Sequence, residues 1–157
     1  MPRCIITTNI YIKIKIIGKM YFFFYNPKTK DKLPYYDIFP LVLITDISRT
    51  SFSGINLHYL PVEHRMVLLS NLQQKAVYKE GQLDRLNIKY DNLQGIQEFG
   101  LFEPCFKKYL YSRVRSEIRM IPPEDWGFAA GLPLETFKKK TKQQVWKESL
   151  ATQNMTL

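Results

Sequence analysis

Cysteine and histidine are scarce in this chain of 157 residues, which contains two of each. Cys4 and Cys105 lie far apart, with no CxxC pair and no histidine at the spacing of a metal partner. Neither a disulfide scaffold nor a zinc site is therefore predicted, and a reducing compartment suits both thiols.

Long apolar runs are missing as well. No stretch approaches the roughly 20 residues that span a bilayer. Lys13 and Lys15 interrupt the isoleucine-rich N-terminal segment, which argues against a signal sequence. We expect the protein to stay inside the cell that makes it and to have no membrane partner.

Motifs of catalysis are also lacking. The chain contains no GxSxG, Walker loop or GxGxxG, and no acid pair with a nearby lysine that resembles a metal nuclease centre. His58 shares the polar face of its predicted strand with Asn56, and Asp37 or Asp46 could orient it, but a histidine bonded to the backbone is more common in such a position. We predict a non-enzymatic protein with no cofactor, metal or small-molecule substrate. A small-barrel nuclease or toxin that uses His58 is a more distant alternative.

Acidic residues are outnumbered by basic ones, 14 to 23, which gives a net charge of +9. Residues 1–60 carry eight Lys and Arg against three Asp, and residues 101–157 carry ten against six acids, whereas residues 61–100 balance at five each. Dispersed cations attract phosphates through long-range, salt-sensitive forces. The balance favours a polyanionic partner, with nucleic acid ahead of a membrane.

The sequence does contain many short β-type segments rich in Tyr and Phe. Alternating isoleucines predict a strand that ends at Gly18, and the aromatic run over residues 20–25 predicts a central strand because both of its faces are apolar. The following "NPKTKDK" is typical of a loop. "FPLVLITDI" and "FSGINLHYL", joined by "SRTS", predict an antiparallel hairpin over residues 39–60.

The later segments predict helices with one intervening strand. Helical spacing of apolar residues predicts a helix after Pro61 and another over "PCFKKYLYSRVRS". "SEIRMIPP" predicts a strand, "PEDWG" lies in a predicted turn, and a last helix follows Thr141 as its N-cap.

These elements predict an α+β fold built on a small, strongly curved antiparallel sheet with about three helices. An SH3-like barrel is one form of such a sheet, because closure would explain short aromatic strands with Gly and Pro at their corners. The predicted organisation is an N-terminal strand or extension over residues 1–18, a single domain over residues 19–150 and a tail over residues 151–157.

Three groups of cations are candidate DNA-binding sites. Each group alone is typical of a solvated surface, but convergence of all three would favour phosphate binding. The groups are Lys28, Lys30 and Lys32 in the loop, Lys107, Lys108 and Arg115 on one face of the second predicted helix, and Lys138, Lys139, Lys140 and Lys142 before the last helix. Tyr35, Tyr36 and Tyr111 are candidates for base stacking, whereas the aromatic residues at 21–25 are expected in the core.

Several strings resemble the DNA end protector family of contractile-tailed (myovirus) bacteriophages. They are "IGKMYFFFYNPKTKDKLPYYDIFPLVL", "FSGINLHYLP", "FEPCFKKYLYSRVRSEIRMIPPEDWGFAAGLPLETF" and "VWKES", which occur in the family's order over roughly residues 18–150. The resemblance implies a minor virion protein, linked to head completion, that caps the ends of packaged linear double-stranded DNA against host exonuclease. It implies DNA binding without catalysis.

From the residues and the resemblance together, we expect binding to double-stranded DNA ends and to phage head or neck proteins. The expected location is the virion, in its head or neck region, and the cytoplasm of the infected bacterium. The main alternative is a structural neck, tail or head-completion protein with no DNA-binding role, because loops such as "LPYYDIFP" suit protein contacts at least as well as DNA.

Overall fold

The computed structural model of the protein describes residues 16–74, 77–78, 86–87 and 103–156. Within these ranges the chain forms nine short strands and three α-helices. The strands are β1 (Met20–Phe22), β2 (Tyr36–Asp37), β3 (Leu41–Ile47), β4 (Ser51–Asn56), β5 (Val77–Tyr78), β6 (Leu86–Asn87), β7 (Phe106–Leu110), β8 (Arg119–Ile121) and β9 (Phe137–Lys138). The helices are α1 (Val62–Gln74), α2 (Trp126–Gly131) and α3 (Lys142–Thr156). The predicted α+β class is confirmed.

The main sheet has five antiparallel strands in the order β7-β4-β3-β1-β8. The predicted hairpin forms its centre, with Leu43 opposite Ile55 and a register shift between Ile44 and Asp46 that bends β3. β1 lies between β3 and β8, so the predicted interior position of the aromatic strand is confirmed, but the strand ends at Phe22 and not at Tyr25, which makes only a single bridge to Val114. β2 pairs with β9, and β5 pairs with β6, in two separate two-stranded ladders.

The prediction of an SH3-like barrel is wrong, because the described sheet is open. Its edge strands, β7 and β8, are separated by three other strands and do not pair with each other. Between them the chain forms a 3-10 turn at Tyr111–Arg113, and Val114 makes a single bridge to Tyr25.

Two apolar clusters cover the two faces of the sheet. One contains Met20, Leu43 and Ile55 packed against side chains from all three helices, including Leu68, Trp126 and Val145. The other contains Phe23, Tyr25, Val42, Phe52 and Tyr109. The aromatic run therefore divides between the clusters, since Phe23 and Tyr25 are buried in the second while Phe22 packs against the first.

Two of the predicted helices are confirmed. α1 begins directly after Pro61. At the start of α3, the backbone N–H of Gln144 donates to Thr141 Oγ1 at 3.3 Å, and the backbone N–H of Thr141 donates to Gln144 Oε1 at 2.9 Å. This reciprocal capping box satisfies backbone donors that the helix itself leaves unpaired.

The helix predicted over "PCFKKYLYSRVRS" is wrong. The segment forms a 3-10 turn (Glu103–Cys105), strand β7 and a second 3-10 turn (Tyr111–Arg113). β7 pairs with β4 through five residue pairs, from Ser51 opposite Leu110 to Ile55 opposite Phe106. Pairing with a distant strand thus overrides a local helical spacing of apolar residues.

The predicted turn at "PEDWG" contains a further helix that the sequence analysis missed. Pro123–Asp125 forms a 3-10 turn and α2 follows it at once. The indole N–H of the buried Trp126 donates to the carbonyl oxygen of Ile121 at 3.0 Å, which fixes this helix next to β8.

Some predictions fall outside the described residues. They are Cys4 and the predicted N-terminal strand as far as residue 15. The domain division stays a prediction, and α3 continues through Thr156, into the segment predicted as a tail.

Candidate nucleic-acid interface

The lysine-rich loop over residues 26–35 projects from the end of the aromatic run. Tyr25 anchors its start, because its backbone N–H donates to the carbonyl of Ile38 at 2.9 Å. A turn follows, in which the N–H of Lys32 donates to the carbonyl of Thr29 at 2.9 Å. Lys28, Lys30 and Lys32 are exposed on this turn, so the predicted loop tip is confirmed.

Lys139 joins the third group of cations to this loop. Its ammonium group donates to the carbonyl oxygens of Lys30, Asp31 and Leu33, at 2.7, 3.2 and 2.7 Å. Its backbone adopts a left-handed φ of 74°, which is uncommon for a residue with a side chain. Since an ammonium group has three N–H donors, Lys139 serves the loop backbone and has no donor left for a phosphate.

Two cations of the second group, Lys107 and Lys108, lie on the edge strand β7. Lys107 stands opposite Gly54 and Lys108 opposite Ser53 on β4. The Lys107 ammonium group lies 4.4 Å from the centre of the Tyr59 ring, a cation–π contact. Burial lowers the pKa of Lys107, although the neighbouring Cys105 acts in the opposite direction.

These segments meet around a pocket of about 440 Å³, here called the lysine pocket. Its cations come from the loop and from β7, and its aromatic walls come from four separate segments. The cations are Lys28, Lys107 and Lys108, and the aromatic residues are Tyr25, Tyr35, Tyr36, Tyr59 and Tyr109. Five predicted site residues, Lys28, Lys107, Lys108, Tyr35 and Tyr36, are therefore brought together.

The remaining predicted residues do not line this pocket. Lys30 and Lys32 are exposed elsewhere on the same loop, and Lys138 is exposed on β9 opposite Tyr36. Arg115 is exposed, and its guanidinium group donates to the carbonyl of Ser112 at 2.7 Å. The predicted common helix face of Lys107, Lys108 and Arg115 is wrong, because a strand and a 3-10 turn replace the helix and only the two lysines line the pocket.

Two cations next to α3 are paired with acids. Lys140 forms an ion pair with Glu148 and also lies 4.8 Å from the Tyr35 ring centre. Lys142 pairs with Glu135 at 3.1 Å. Both remain predicted phosphate contacts, but a phosphate would have to compete with a carboxylate for each.

Tyr111 is also apart from the lysine pocket. Its ring packs 5.3 Å from that of Phe52 and lines a smaller apolar pocket with Ile16, Ile44 and Ile118. Tyr35, in contrast, is held beside the lysine pocket by ring contacts with Tyr59 and Phe137 at 5.9 and 6.5 Å.

A buried polar network forms the floor of the pocket around Asp37. One carboxylate oxygen accepts hydrogen bonds from the backbone N–H groups of Phe39 and Thr136, at 3.1 and 3.3 Å. The other accepts from Asn56 Nδ2 at 3.2 Å and lies 2.8 Å from His58 Nδ1. The Asn56 amide also reaches the hydroxyl of Tyr109 at 3.2 Å.

His58 belongs to the hydrogen-bond network of Asp37, does not line the pocket and is completely buried. The prediction that it lies on a polar strand face is wrong, because the chain turns into a 3-10 helix at Leu57–Tyr59 and the ring points to Asp37. Of the two acids proposed to orient it, Asp37 does so. A buried imidazole cannot reach a substrate at the surface.

Three tyrosines of the pocket have a raised pKa and stay neutral. Burial raises the pKa of Tyr59 and raises that of Tyr109 well above its ordinary value, and for both the nearby Asp37 adds to the effect. Burial and Glu148 raise the pKa of Tyr35. These side chains therefore offer apolar ring faces and neutral hydroxyl groups, which do not repel an anion.

Tyr59 and Tyr109 were missed as site residues. Tyr109 carried a usable signal: read as a strand, "FKKYL" places Lys107 and Tyr109 on one side by simple alternation. Tyr59 carried none, because its position depends on the 3-10 turn that follows β4.

Comparison with known families adds an independent finding. A family model described as the phage T4 terminal DNA protecting protein matches residues 6–151. The chain belongs to this family. Membership of the DNA protecting protein family confirms the predicted family and supports DNA end protection in phage. No significant match was found among curated proteins or solved structures.

Other kinds of site find no support in the part of the chain that the structure describes. None of its helices is long and apolar enough to cross a membrane. Among the same residues, His, Cys, Asp and Glu form no group of three or more that could hold a metal ion. Cys105 is buried, and burial raises the pKa of its thiol to about 12.

Proposed function

We propose that this member of the DNA protecting protein family binds the ends of packaged linear double-stranded DNA and shields them from host exonuclease. The observation that carries the proposal is the lysine pocket, in which three cations from distant parts of the chain meet five tyrosines. Lysines supply phosphate attraction regardless of sequence, and the partly exposed rings of Tyr35 and Tyr36 can stack on any base. A bound end is sterically closed to a nuclease.

The cations that best suit phosphate contact are those without an acid partner. Within the described ranges, Lys28, Lys107 and Lys108 take part in no ion pair. Lys30, Lys32 and Lys138 extend the same basic surface. We assign Lys139 a different role, which is to hold the loop that carries Lys28.

We propose that the protein acts without catalysis. A nuclease of the small-barrel type would require His58 as its catalytic side chain. This side chain is completely buried and hydrogen-bonded to Asp37. The expected result is that purified protein does not nick or digest DNA when divalent metal is added. Metal-dependent cleavage that co-purifies with the protein and is lost in a His58→Asn variant would contradict this part of the proposal.

A binding titration tests the main proposal. Linear duplex and covalently closed circular duplex of the same sequence are compared at two salt concentrations. We expect tighter binding of the linear form, steeper loss of affinity with salt than a neutral protein would show, and protection of the linear form from an added exonuclease. Equal affinity for both forms would contradict the recognition of DNA ends. Absence of binding at low salt would contradict DNA binding altogether.

Two matched variants sharpen this test. Lys108→Gln and Lys147→Gln each remove one exposed lysine, but only Lys108 lines the pocket. Protection should weaken in Lys108→Gln and persist in Lys147→Gln. Equal loss in both would indicate that overall charge, and not the pocket, attracts the DNA.

Docking to phage head or neck proteins is a second candidate function, linked to head completion and to a location in the virion. It is favoured by a groove of about 430 Å³ that contains Phe22, Phe24, Phe39 and Arg119. The Phe39 ring lies 6.2 Å from that of Phe22 and 5.2 Å from that of Phe24. Partly exposed aromatic clusters of this kind are typical of protein interfaces.

A double change of the exposed pocket lysines Lys28 and Lys108 to Gln separates the two functions in infected cells. If DNA binding is the function, particles should assemble while their DNA ends lose protection. Failure of assembly with a folded variant protein would favour protein docking instead.

A further inference from the structure

We infer that the lysine pocket receives the terminal nucleotide of one DNA strand, with its 5′-phosphate against Lys107 and Lys108, an inference that rests on the proposed binding of DNA ends. The pocket would thereby distinguish an end from the interior of a duplex by chemistry and not by shape alone. The ligand class is a deoxynucleoside 5′-monophosphate that forms the start of a strand.

The size of the pocket fits one nucleotide. Pockets that enclose single small ligands measure about 300–1,000 Å³. At about 440 Å³ the lysine pocket lies near the lower end of this range, and a continuous duplex cannot enter it. A terminal nucleotide that has left its base pair is the part of a DNA molecule that can.

The environment of Lys107 favours an anion. Its ammonium group faces the Tyr59 ring on one side and is partly removed from water. Among the described residues no carboxylate pairs with it, and the same holds for Lys108 and Lys28. Burial lowers the pKa of Lys107, so an incoming anion would stabilise the charged form.

A terminal phosphate is a better partner for these lysines than an internal one. A phosphate monoester carries a charge of about −1.5 to −2 at pH 7, whereas a phosphodiester within the strand carries about −1. Hydrogen bonds between charged partners are also roughly twice as strong as neutral ones. Only the end of a strand offers a monoester.

Asp37 is the one acidic residue in the pocket lining, and it does not oppose the binding of a terminal phosphate. The Asp37 carboxylate is 3% exposed, and both of its oxygens face donors inside the protein. Two backbone N–H groups and the Asn56 amide compensate its charge, and the His58 ring lies within hydrogen-bond distance. The surface that a ligand meets is therefore formed by lysines and neutral tyrosines.

Tyr36 and Tyr35 supply the walls for the base. Tyr36 is partly exposed and is fixed by the β2–β9 pairing opposite Lys138. Tyr35 is fixed by its contacts with Tyr59 and Phe137. Rings held in this way can stack on a base without sequence preference.

The experiment uses the full chain and three duplex probes of one sequence. One probe has 5′-phosphates at open ends, one has 5′-hydroxyls at open ends, and one has both ends closed by hairpin loops. We expect the phosphorylated ends to bind about tenfold or more tightly than the hydroxyl ends, since charge-assisted contacts to one phosphate are lost. Thymidine 5′-monophosphate should compete with the phosphorylated ends more strongly than thymidine or inorganic phosphate does.

Variants connect the preference to the pocket. Lys107→Gln and the exposed Lys108→Gln should each reduce the preference for the phosphorylated end, whereas Lys147→Gln, which changes an exposed lysine outside the pocket, should retain it. Circular dichroism shows whether each variant is folded. If Lys107→Gln does not fold, Lys108→Gln still tests the inference.

The outcomes separate this inference from the proposed function. Equal binding of phosphorylated and hydroxyl ends, both tighter than the closed probe, would overturn the nucleotide inference and leave end binding intact. Equal binding of all three probes would overturn end binding itself. A phosphate preference that survives in both Lys107→Gln and Lys108→Gln would place the phosphate elsewhere.

Discussion

Single residues determine how closely the strands around the lysine pocket can approach. Gly54 is the most restrictive of them, since a Cβ atom at this position would lie 2.3 Å from the carbonyl oxygen of Leu43 and 2.5 Å from Val42 Cγ1. Gly54 also stands opposite Lys107 in the β4–β7 pairing. The absence of a side chain here therefore supports both the hairpin and the position of a pocket lysine.

We predict that Gly54→Ala destabilises the protein by roughly 1–3 kcal/mol, because backbone and a packed valine must move to admit one methyl group. Urea denaturation measures the change. Gly127→Ala is the matched control, because its Cβ would meet nothing within 4 Å and it lies within α2. The control should be neutral or stabilising by up to about 1 kcal/mol. Similar stability of both variants would contradict the close approach at Gly54.

At the scale of elements, a buried arginine joins the helices beneath the first apolar cluster. Arg65 on α1 is completely buried, and its guanidinium group donates to the carbonyls of Leu60 and Ala130 at 2.7 and 2.8 Å. It also reaches Glu135 at 3.4 Å, and Glu135 in turn pairs with Lys142 at the start of α3. Burial lowers the pKa of Arg65, an effect that Glu135 partly offsets.

This network makes stability depend on pH through Glu135. Burial alone would raise the pKa of Glu135, but its backbone hydrogen bond, Lys142 and Arg65 together lower it. A carboxyl whose pKa is lower in the folded state stabilises the fold above its unfolded pKa of about 4.3, and this contribution is lost as the pH falls through the folded pKa.

We predict that Glu135→Gln reduces the free energy of unfolding by about 1–3 kcal/mol at pH 7, and that the difference from the parent protein shrinks as the pH falls below about 4. Urea denaturation across this pH range provides the measurement. Glu117→Gln serves as the control, because the pair of Glu117 with Arg119 spans 4.0 Å and both side chains are largely exposed. A constant difference at all pH values would exclude the proposed ionic role.

At the scale of the whole molecule, the net charge of +9 is less informative than its distribution. Several lysines are occupied by the fold: Lys139 holds the loop, and Lys140 and Lys142 pair with acids. Lys28, Lys107 and Lys108 converge on one pocket. The number of phosphate contacts should therefore be smaller than the count of basic residues suggests.

This gives a prediction for the salt dependence of DNA binding. With about three phosphate contacts, the logarithm of the binding constant should fall with the logarithm of salt concentration with a slope of roughly −2.7. Lys108→Gln should reduce the size of the slope by about 0.9, and Lys147→Gln should leave it unchanged. Titrations at four or more salt concentrations give the slope. A much steeper value would mean that lysines outside the pocket also contact phosphate.

Local features were predictable because their causes lie within a few residues. The apolar faces of the aromatic run, the turn after Asn26, the helix after Pro61 and the N-cap at Thr141 each follow from neighbouring side chains and backbone preferences. β7 was not predictable in this way. Its residues have a spacing compatible with a helix, and only pairing with a strand far away in the sequence makes them extended.

By itself the sequence determined the family, the α+β class, the exposed lysine loop and the division of the aromatic run between two apolar faces. Tertiary structure alone decided that the sheet stays open, that His58 is buried against Asp37, and which lysines meet. The physical reason is that patterns of hydrophobicity and charge report on neighbours in the chain. The lysine pocket, by contrast, depends on contacts between segments up to about 80 residues apart, from Lys28 to Lys108, and such contacts are fixed only when the whole core is packed.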